Sequence, residues 1–278
     1  MDMQVRRACP GDRPAIEALN QEARRTLPLL WEWQEHLADD LFIVVDRGGD
    51  VVGTLLAWPD QSPVAWVRLA ALDDMLEVDR WLDLTLSRLL DELGHREVRS
   101  LAWMDCQGWA GPHLCARGFH HLTNVITLSK HGRTLPAVPE AVGVCIRPAQ
   151  VTDDAAIAAL DRAAFTPHWW YSEATIRRKA AAVLHFVVAE AGGRVVGYAE
   201  GELRLPTAHL NRLAVHPIHQ SCGIGALLLQ DALRAFWQQN ADWVTLNTQS
   251  HNERSRRLYH RFGFEATGES MAVWELEF

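Results

Sequence analysis

Two hydrophobic patterns alternate along the chain: short apolar runs of strand length, and longer segments with apolar residues every three or four positions, as on one face of a helix. In the C-terminal half, these patterns predict strands at 144–147, 185–190, 194–204, 208–215, 243–248, 264–267 and 271–277, and helices at 153–163, 173–182, 223–239 and 252–261. The alternation predicts an α/β fold with helices on both faces of a sheet.

A glycine-containing turn separates one strand from the helix after it. The apolar run 213–215 ends the strand, and Gly223 and Gly225 stand at the start of the helix. Glycines there let the unpaired N–H groups of a first helical turn approach an anion closely. An ordinary tight turn would also fit. A dinucleotide fingerprint would need glycine where Leu228 stands, and the sequence has no G-K-[S/T] of a P-loop.

The next predicted helix begins near Asn252, after a sequence with the capping-box pattern. Asn252, Ser255 and Tyr259 share one face of it, whereas Leu258 and Phe262 share an adjacent apolar face. One face is thus available for chemistry. Tyr259 could equally be a half-buried aromatic residue whose hydroxyl finds some other partner.

The two halves of the chain resemble each other at offsets of 141 to 145 residues, which indicates a duplicated domain. The matching segments are 6–12 with 147–153, 46–53 with 190–197, and 117–119 with 262–264. We therefore predict one domain at 1–130, a proline-containing linker at 131–143 and a second domain at 144–278.

Composition narrows the class of protein. A length of 278 residues with 48% hydrophobic residues favours two ordinary cores. The formal charge of −8 and the lack of a basic block argue against nucleic-acid binding. We expect no membrane segment and no export signal. Five scattered cysteines indicate reduced thiols and a cytoplasmic protein, and the lysine-poor usage is typical of a GC-rich bacterial genome.

The order of strand, glycine turn, helix and a second helix ending in Gly263-Phe264 resembles the GNAT superfamily of acyl-CoA-dependent N-acyltransferases. The resemblance implies two tandem domains, each with a mixed, mostly antiparallel central sheet flanked by helices. It also implies acetyl-CoA as cosubstrate and no metal. The coenzyme-binding residues that it implies are Leu213, Ala214, Val215, Gln220, Ser221, Cys222, Gly223, Ile224, Gly225, Ala226, Asn252, Ser255 and Tyr259.

In the GNAT pattern, backbone N–H groups around 213–215 receive the thioester oxygen, and the tyrosine matched by Tyr259 protonates the leaving thiolate. The general base is less defined. His209 occupies the strand position where some members carry a glutamate, and histidine titrates in a useful range. Glu202 and Glu200 on the preceding strand are competitors, because alternate residues of a strand share one face. A chain of water molecules is a further alternative.

The first half keeps the outline of the domain without its chemistry. Residues 72–78 lack glycine and place three carboxylates where a pyrophosphate would dock, and the closing helix at 108–117 contains no tyrosine. We expect a degenerate domain that scaffolds or shapes the substrate cleft, because these carboxylates would repel the phosphates of a coenzyme. A coenzyme site in this half is the alternative.

Two further clusters remain open. Cys106, His113, Cys115, His120 and His121 are close in sequence but lack the spacing of a structural zinc site. The aromatic segment 165–171 lies where this fold covers the acceptor groove. It stacks on a substrate or a cation, or it packs against the other domain.

The function implied is acetyl transfer from acetyl-CoA to a primary amine of a small molecule or peptide, by direct attack in a ternary complex, in a monomer or homodimer. Tandem relatives with this plan include mycothiol synthase and acetyltransferases of antibiotics or small amines. The alternative from another class is an acetyl-CoA sensor without activity. The acceptor is not identified by these motifs.

Overall fold

The computed structural model describes residues 3–28, 33–61, 63–139 and 141–278. Contacts divide the chain into two compact units. The first comprises Met1–Thr123 together with Met271–Phe278, and the second comprises Asn124–Ser270.

The first unit contains a sheet with helices on both faces. Its strands are β1 (Met3–Arg7), β2 (Arg25–Pro28), β3 (Phe42–Arg47), β4 (Asp50–Gln61), β5 (Val64–Leu72) and β6 (Ser100–Asp105), and its helices are α1 (Arg13–Glu22), α2 (Val78–Gly94) and α3 (Gly111–Cys115). The strand order is β1-β3-β4-β5-β6, and β2 pairs with β5. Ile16 of α1 packs on one face, and Trp81 and Leu89 of α2 pack on the other.

The second unit repeats this arrangement. Its strands are β7 (His120–His131, from residue 124), β8 (Val144–Pro148), β9 (His185–Ala191), β10 (Arg194–Arg204), β11 (Thr207–Val215), β12 (Trp243–Gln249) and β13 (Glu265–Glu277, up to residue 270), and its helices are α4 (Asp154–Ala164), α5 (Glu173–Ala182), α6 (Ile224–Gln238) and α7 (Glu253–Arg261). The strand order is β7-β12-β11-β10-β9-β8. Ile157 of α4 and Ile176 of α5 pack on one face, whereas Leu229 and Leu233 of α6 pack on the other.

The mixed α/β fold and its duplication are confirmed. In both units a tight hairpin with two central glycines at positive φ joins consecutive antiparallel strands, Gly48 and Gly49 in one and Gly192 and Gly193 in the other. Glycine is favoured because such two-residue turns require positive φ at both positions. Two pairings are parallel, β5 with β6 and β11 with β12.

The boundaries of the compact units differ from the predicted domain boundaries, because the end of β7 belongs to the second unit and the end of β13 belongs to the first. We call this the exchange of β7 and β13. Residues 125–131 of β7 pair with β12 in the second unit, and residues 272–277 of β13 pair with β6 in the first. The predicted linker begins with the end of β7. Beyond it, residues 132–139 and 141–143 form no helix or strand, and Glu140 lies outside the described residues.

Most element bounds of the second half agree with the prediction to within two residues. The exception is β13, which was expected as two strands and is one, with Gly268 at φ +90° inside it. Among the helices of the described ranges, none combines the length and the hydropathy needed to cross a membrane.

Candidate active site

Strands β11 and β12 diverge at one end. Their parallel pairing stops at Leu210 and Leu246, although the strands continue to Val215 and Gln249. The divergence begins beside a β-bulge, where Asn211 is the extra residue on β11 between Leu210 and Arg212. Because a bulge bends its strand, β11 leaves its parallel neighbour here.

The diverging part of β11 presents free backbone amides. The N–H of His216 donates to the carbonyl oxygen of Val196 on β10 at 2.9 Å. Since successive residues of a strand point their amides to opposite edges, the N–H groups of Leu213 and Val215 point toward the gap beside β12. The gap is therefore lined by donors suited to an extended polar ligand.

The predicted glycine turn follows β11 and opens α6. Gly223 is the N-cap with φ +86°, and Ser221 also has a positive φ of 67°. Within the described chain, the backbone N–H groups of 221–225 have no hydrogen-bond partner. Together with the positive end of the helix dipole, these N–H groups form a suitable site for a phosphate.

Gly225 brings three elements together. A Cβ placed on it would lie 3.5 Å from Leu258 of α7 and 3.7 Å from both Leu213 and Val215 of β11. These are ordinary van der Waals distances, so packing within the protein does not require glycine here. The contacts nevertheless place the first turn of α6 directly between the open strand and α7.

Gln220 connects the same elements by hydrogen bonds. Its Nε2 donates to the carbonyl oxygen of Val215 at 3.0 Å. Its Oε1 accepts from the guanidinium of Arg254 on α7. The side chain thus fixes the turn relative to the end of β11, while Cys222 in the same turn is exposed.

Helix α7 begins as predicted, because the Asn252 side chain accepts a hydrogen bond from the N–H of Ser255 at 3.2 Å. The Oδ1 atom of Asn252 is therefore used as a cap, and its amide nitrogen remains available. Tyr259 is 6% exposed and packs edge-on against Phe264. Burial raises the pKa of Tyr259 to about 12, against a smaller opposing effect of the hydrogen bond with Ser255. Its hydroxyl is protonated at neutral pH.

His209 lies in a row of three residues on adjacent strands, opposite Glu202 of β10 and Thr245 of β12. Its Nδ1 is 2.7 Å from Oγ1 of Thr245. We assign the hydroxyl proton of Thr245 to its hydrogen bond with the carbonyl oxygen of Ala208 at 3.3 Å, so that Oγ1 accepts from His209 Nδ1–H. The other ring nitrogen, Nε2, is then the unprotonated one. Burial lowers the pKa of His209, so the neutral form dominates at neutral pH.

The two competing carboxylates differ in their surroundings. Glu200 is fully buried, lies 3.0 Å from Lys179 Nζ and accepts from Asn211 Nδ2 at 3.0 Å. Glu202 is partly exposed and forms an ion pair with Arg204 at 3.2 Å. Glu200 is therefore engaged in structural contacts, and Glu202 stands beside His209.

Two rings of the aromatic segment 165–171 pack against the positively charged side chain of Arg212. The Arg212 guanidinium lies 3.8 Å from the ring centroid of Phe165 and 4.0 Å from that of Tyr171. It also forms two hydrogen bonds with buried Asp161, which accepts the Tyr198 hydroxyl proton at 2.5 Å. The segment is thus anchored over the sheet by an internal charge pair.

Sequence reasoning missed this buried network. A signal was present, because Asp161 follows Leu160 on the apolar stripe of α4, and Arg212 interrupts the apolar run of β11. A charge at a core position is retained when another charge pairs with it.

The cysteine and histidine cluster of the first unit is dispersed. His113 Nδ1 lies 3.0 Å from Asp79 instead of a cysteine. Among the described residues, the one compact group with metal-ligating chemistry is His120, Glu275 and Glu277, whose ligand atoms lie within 4.8 Å of one another. Two of its members, His120 and Glu277, are exposed, and exposed acidic groups are common without a metal.

Comparisons with known proteins agree with this geometry. Residues 154–264 match the sequence profile of the Acetyltransferase (GNAT) family. The chain is 35% identical over 80 residues to an uncharacterized N-acetyltransferase of Methanocaldococcus jannaschii, a match covering 28% of this chain and 51% of that protein. It is 31% identical over 97 residues to a mycothiol acetyltransferase of Acidimicrobium ferrooxidans, which covers 33% and 31% of the two chains. The chain thus spans about half the length of the first relative.

A solved structure extends the likeness in fold to the whole chain. A tandem GNAT protein from the clavulanic acid biosynthesis pathway superposes with a TM-score of 0.67, at 16% identity, over 99% of this chain and 98% of that one. At 16% identity, the comparison shows a likeness of fold alone, which includes the tandem arrangement of two domains.

Proposed function

Because the chain contains a domain of the acetyltransferase (GNAT) family over residues 154–264, we propose that it transfers an acetyl group from acetyl-CoA to a primary amine of a small molecule or peptide. The observation that carries the proposal is the open edge of β11, which leads directly into the turn of unpaired N–H groups at 221–225. An extended arm ending in a diphosphate has the shape and charge that this surface fits.

The coenzyme would be held mainly by backbone groups. The N–H groups of 221–225 would bind the diphosphate, and the free edge of β11 would pair with the extended arm. Gln220 and the capping residue Asn252 fix the two ends of this surface. Donors at Leu213 and Val215 would then receive the negative charge that develops on the thioester oxygen during attack.

Proton removal from the amine is assigned to His209. An alkylammonium ion is not a nucleophile, so a base must take its proton before or during attack on the thioester carbon. In the assigned tautomer, Nδ1–H is donated to Thr245 and His209 Nε2 carries no proton. Glu202 stands opposite His209 and would stabilise the imidazolium that results.

Protonation of the leaving thiolate is assigned to Tyr259. As the nitrogen–carbon bond forms and the carbon–sulfur bond breaks, the electron pair goes to sulfur, which requires a proton donor. Tyr259 has a pKa of about 12 and is protonated at neutral pH, so its hydroxyl is able to donate. Transfer would be direct, in a ternary complex.

We propose two candidates for the acceptor amine. The first, more general one is a small primary amine. The match to a mycothiol acetyltransferase favours, as a second candidate, a cysteinyl amine on a sugar-like carrier.

We place the reaction in the cytoplasm, since all five cysteines are unpaired.

The test is release of free thiol from acetyl-CoA in the presence of a panel of amines, with mass spectrometry of the products. We expect turnover with at least one amine, and a loss of roughly 100-fold in kcat for Tyr259→Phe with unchanged coenzyme affinity. Tight binding of acetyl-CoA without turnover on any amine would instead identify a sensor, and no binding would refute the proposal.

A further inference from the structure

The first unit has the same strand divergence as the second. Pairing of β5 with β6 stops at Trp66 and Ala102, although the strands continue to Leu72 and Asp105. Both β5 and β11 are nine residues long and start at the first residue of the parallel pairing. Residues 69–72 of β5 therefore correspond to residues 212–215 of β11.

In the first unit this edge is already paired. Strand β2 runs antiparallel to β5, with Arg25 opposite Leu72, Thr26 opposite Ala71 and Leu27 opposite Ala70. Its pairing ends at position 69, where Pro28 stands opposite. The edge that is open in the second unit is thus covered by the chain itself.

The far edge of β2 is held by the segment that follows β6. The N–H of Thr26 donates to Oε1 of Gln107 at 3.2 Å, and Nε2 of Gln107 donates to Oγ1 of Thr26 at 3.2 Å. Thr26 is 8% exposed and Leu27 is 1% exposed. Strand β2 therefore lies between the two diverging strands and is buried there.

The turn after β5 also differs from its counterpart. Residues 73–77 carry Asp73, Asp74 and Glu77 and contain no glycine, and Glu77 is the residue before α2. The Asp74 carboxylate accepts from the N–H of Arg24, the residue before β2, at 3.3 Å. The turn thus presents negative charge and helps to hold β2, where the second unit presents free N–H groups.

We infer that β2 is a built-in occupant of the first unit's cleft, filling the place that the second unit keeps for an acyl-CoA arm. Each chain then binds one coenzyme molecule, in the second unit. The location in the second unit rests on the proposed function, whereas the occupancy by β2 does not.

The inference is tested by hydrogen exchange and calorimetric titration on the full chain, with acetyl-CoA as the ligand. We expect slow exchange of the β2 amides and of 69–72 without ligand and no change on its addition, new protection at 213–225, and one equivalent bound per chain. Rapid exchange of β2 without ligand, ligand-induced protection at 69–77, or two equivalents would overturn the inference. No binding at all would contradict the proposed function alone, because occupancy by β2 is measured in the free protein.

Two variants sharpen the test. Gly223→Asp is expected to lose all acetyl-CoA binding; one equivalent retained by this variant, with ligand-induced protection at 69–77, would place the coenzyme in the first unit and overturn the inference. Gln107→Ala removes both hydrogen bonds to Thr26 and should speed exchange of the β2 amides by about tenfold, with unchanged turnover. Gln21→Ala, at an exposed position of α1, is the matched control. Unchanged exchange in Gln107→Ala would show that β2 is not held in this way.

Discussion

The imidazole of His209 shows how one hydrogen bond determines the chemistry of a residue. Nothing in the residue type sets which ring nitrogen carries the proton. In the tautomer assigned here, Thr245 sets it, because the Thr245 hydroxyl donates to Ala208 and accepts from Nδ1–H. The free nitrogen is thereby fixed before any substrate arrives.

The first prediction concerns pH. Burial lowers the pKa of His209, so the base loses its proton below the ordinary histidine range, and kcat/KM should reach its plateau by about neutral pH. Glu202→Gln removes a carboxylate that raises this pKa, and it should move the acid limb to lower pH. His209→Gln should abolish the limb and lower kcat by about 100-fold. An unchanged pH profile in His209→Gln would show that another group is the base.

The second prediction concerns Thr245, a positioning residue. Thr245→Val removes the acceptor for Nδ1–H and lets the tautomer with a protonated Nε2 compete. A lost hydrogen bond of about 1 kcal/mol corresponds to a fall of roughly fivefold in kcat. The acid limb should shift as well, which a purely structural role would not cause. Thr207→Val, at the start of the strand that carries His209, is the control and should leave the profile unchanged.

The candidate residues were visible in the sequence, but most of their partners were not. Tyr259, Asn252 and the two glycines stand at spacings that helices and turns impose locally. Thr245 and Asp161 lie on other elements, so only the sheet register and the helix packing bring them to His209 and Arg212. Contacts between residues that lie far apart in the chain leave little trace in a single sequence.

Among the elements, the turn between β11 and α6 depends on backbone conformation more than on side chains. Gly223 has a left-handed φ, whereas Gly225 lies within the first turn of α6 with ordinary room for a Cβ. The two glycines that look equivalent in the sequence therefore have different roles.

The third prediction separates these glycines. Gly223→Ala should lower the free energy of unfolding by about 1–2 kcal/mol, since a side chain disfavours the left-handed region. Gly225→Ala should leave it unchanged or raise it by about 0.5–1 kcal/mol, because alanine favours a helix over glycine. Denaturant unfolding of both variants measures this. Equal destabilisation would mean that close packing, and not φ, selects glycine at 225.

Local signals predicted the elements well where they were strong. Paired glycines and apolar alternation gave the hairpins, and Asn252 marked the start of α7. Residues 264–267 and 271–277 were predicted as two strands and form one, because a glycine such as Gly268 can adopt a positive φ inside a continuous strand. Strand β2 was missed since its four residues carry no alternating pattern and its pairing partner is distant in sequence.

Over the whole molecule, the exchange of β7 and β13 sets which pieces of the chain can fold. Strand β7 covers one edge of β12 along 243–249, and Leu128 contributes to the core of the second unit. A division at the predicted linker would separate β12 from this neighbour.

The fourth prediction compares two fragments. The fragment 124–270 contains the whole second unit and should unfold cooperatively. The fragment 144–270 lacks β7, exposes the edge of β12 and loses the burial of Leu128, worth about 1.5–3 kcal/mol. We expect it to aggregate or remain unfolded. Circular dichroism with thermal melting decides between them, and a stable 144–270 would show that β7 is dispensable.

Internal similarity was enough to reveal two copies of one domain, but it could not reveal the exchange. Similarity follows the order of residues, and compact units follow contacts. Residues 265–277 match a strand of the first half in sequence position, yet their final segment pairs with β6.

This exchange has a consequence for synthesis on the ribosome. The strand that completes the edge of β6 comes from residues 271–278, so the unit translated first is finished last. At about 5–20 residues per second, its open edge persists for roughly 10–30 s while the second unit emerges. A nascent chain stalled in that interval would expose an unpaired strand edge to chaperones until residues 271–278 have emerged from the ribosome.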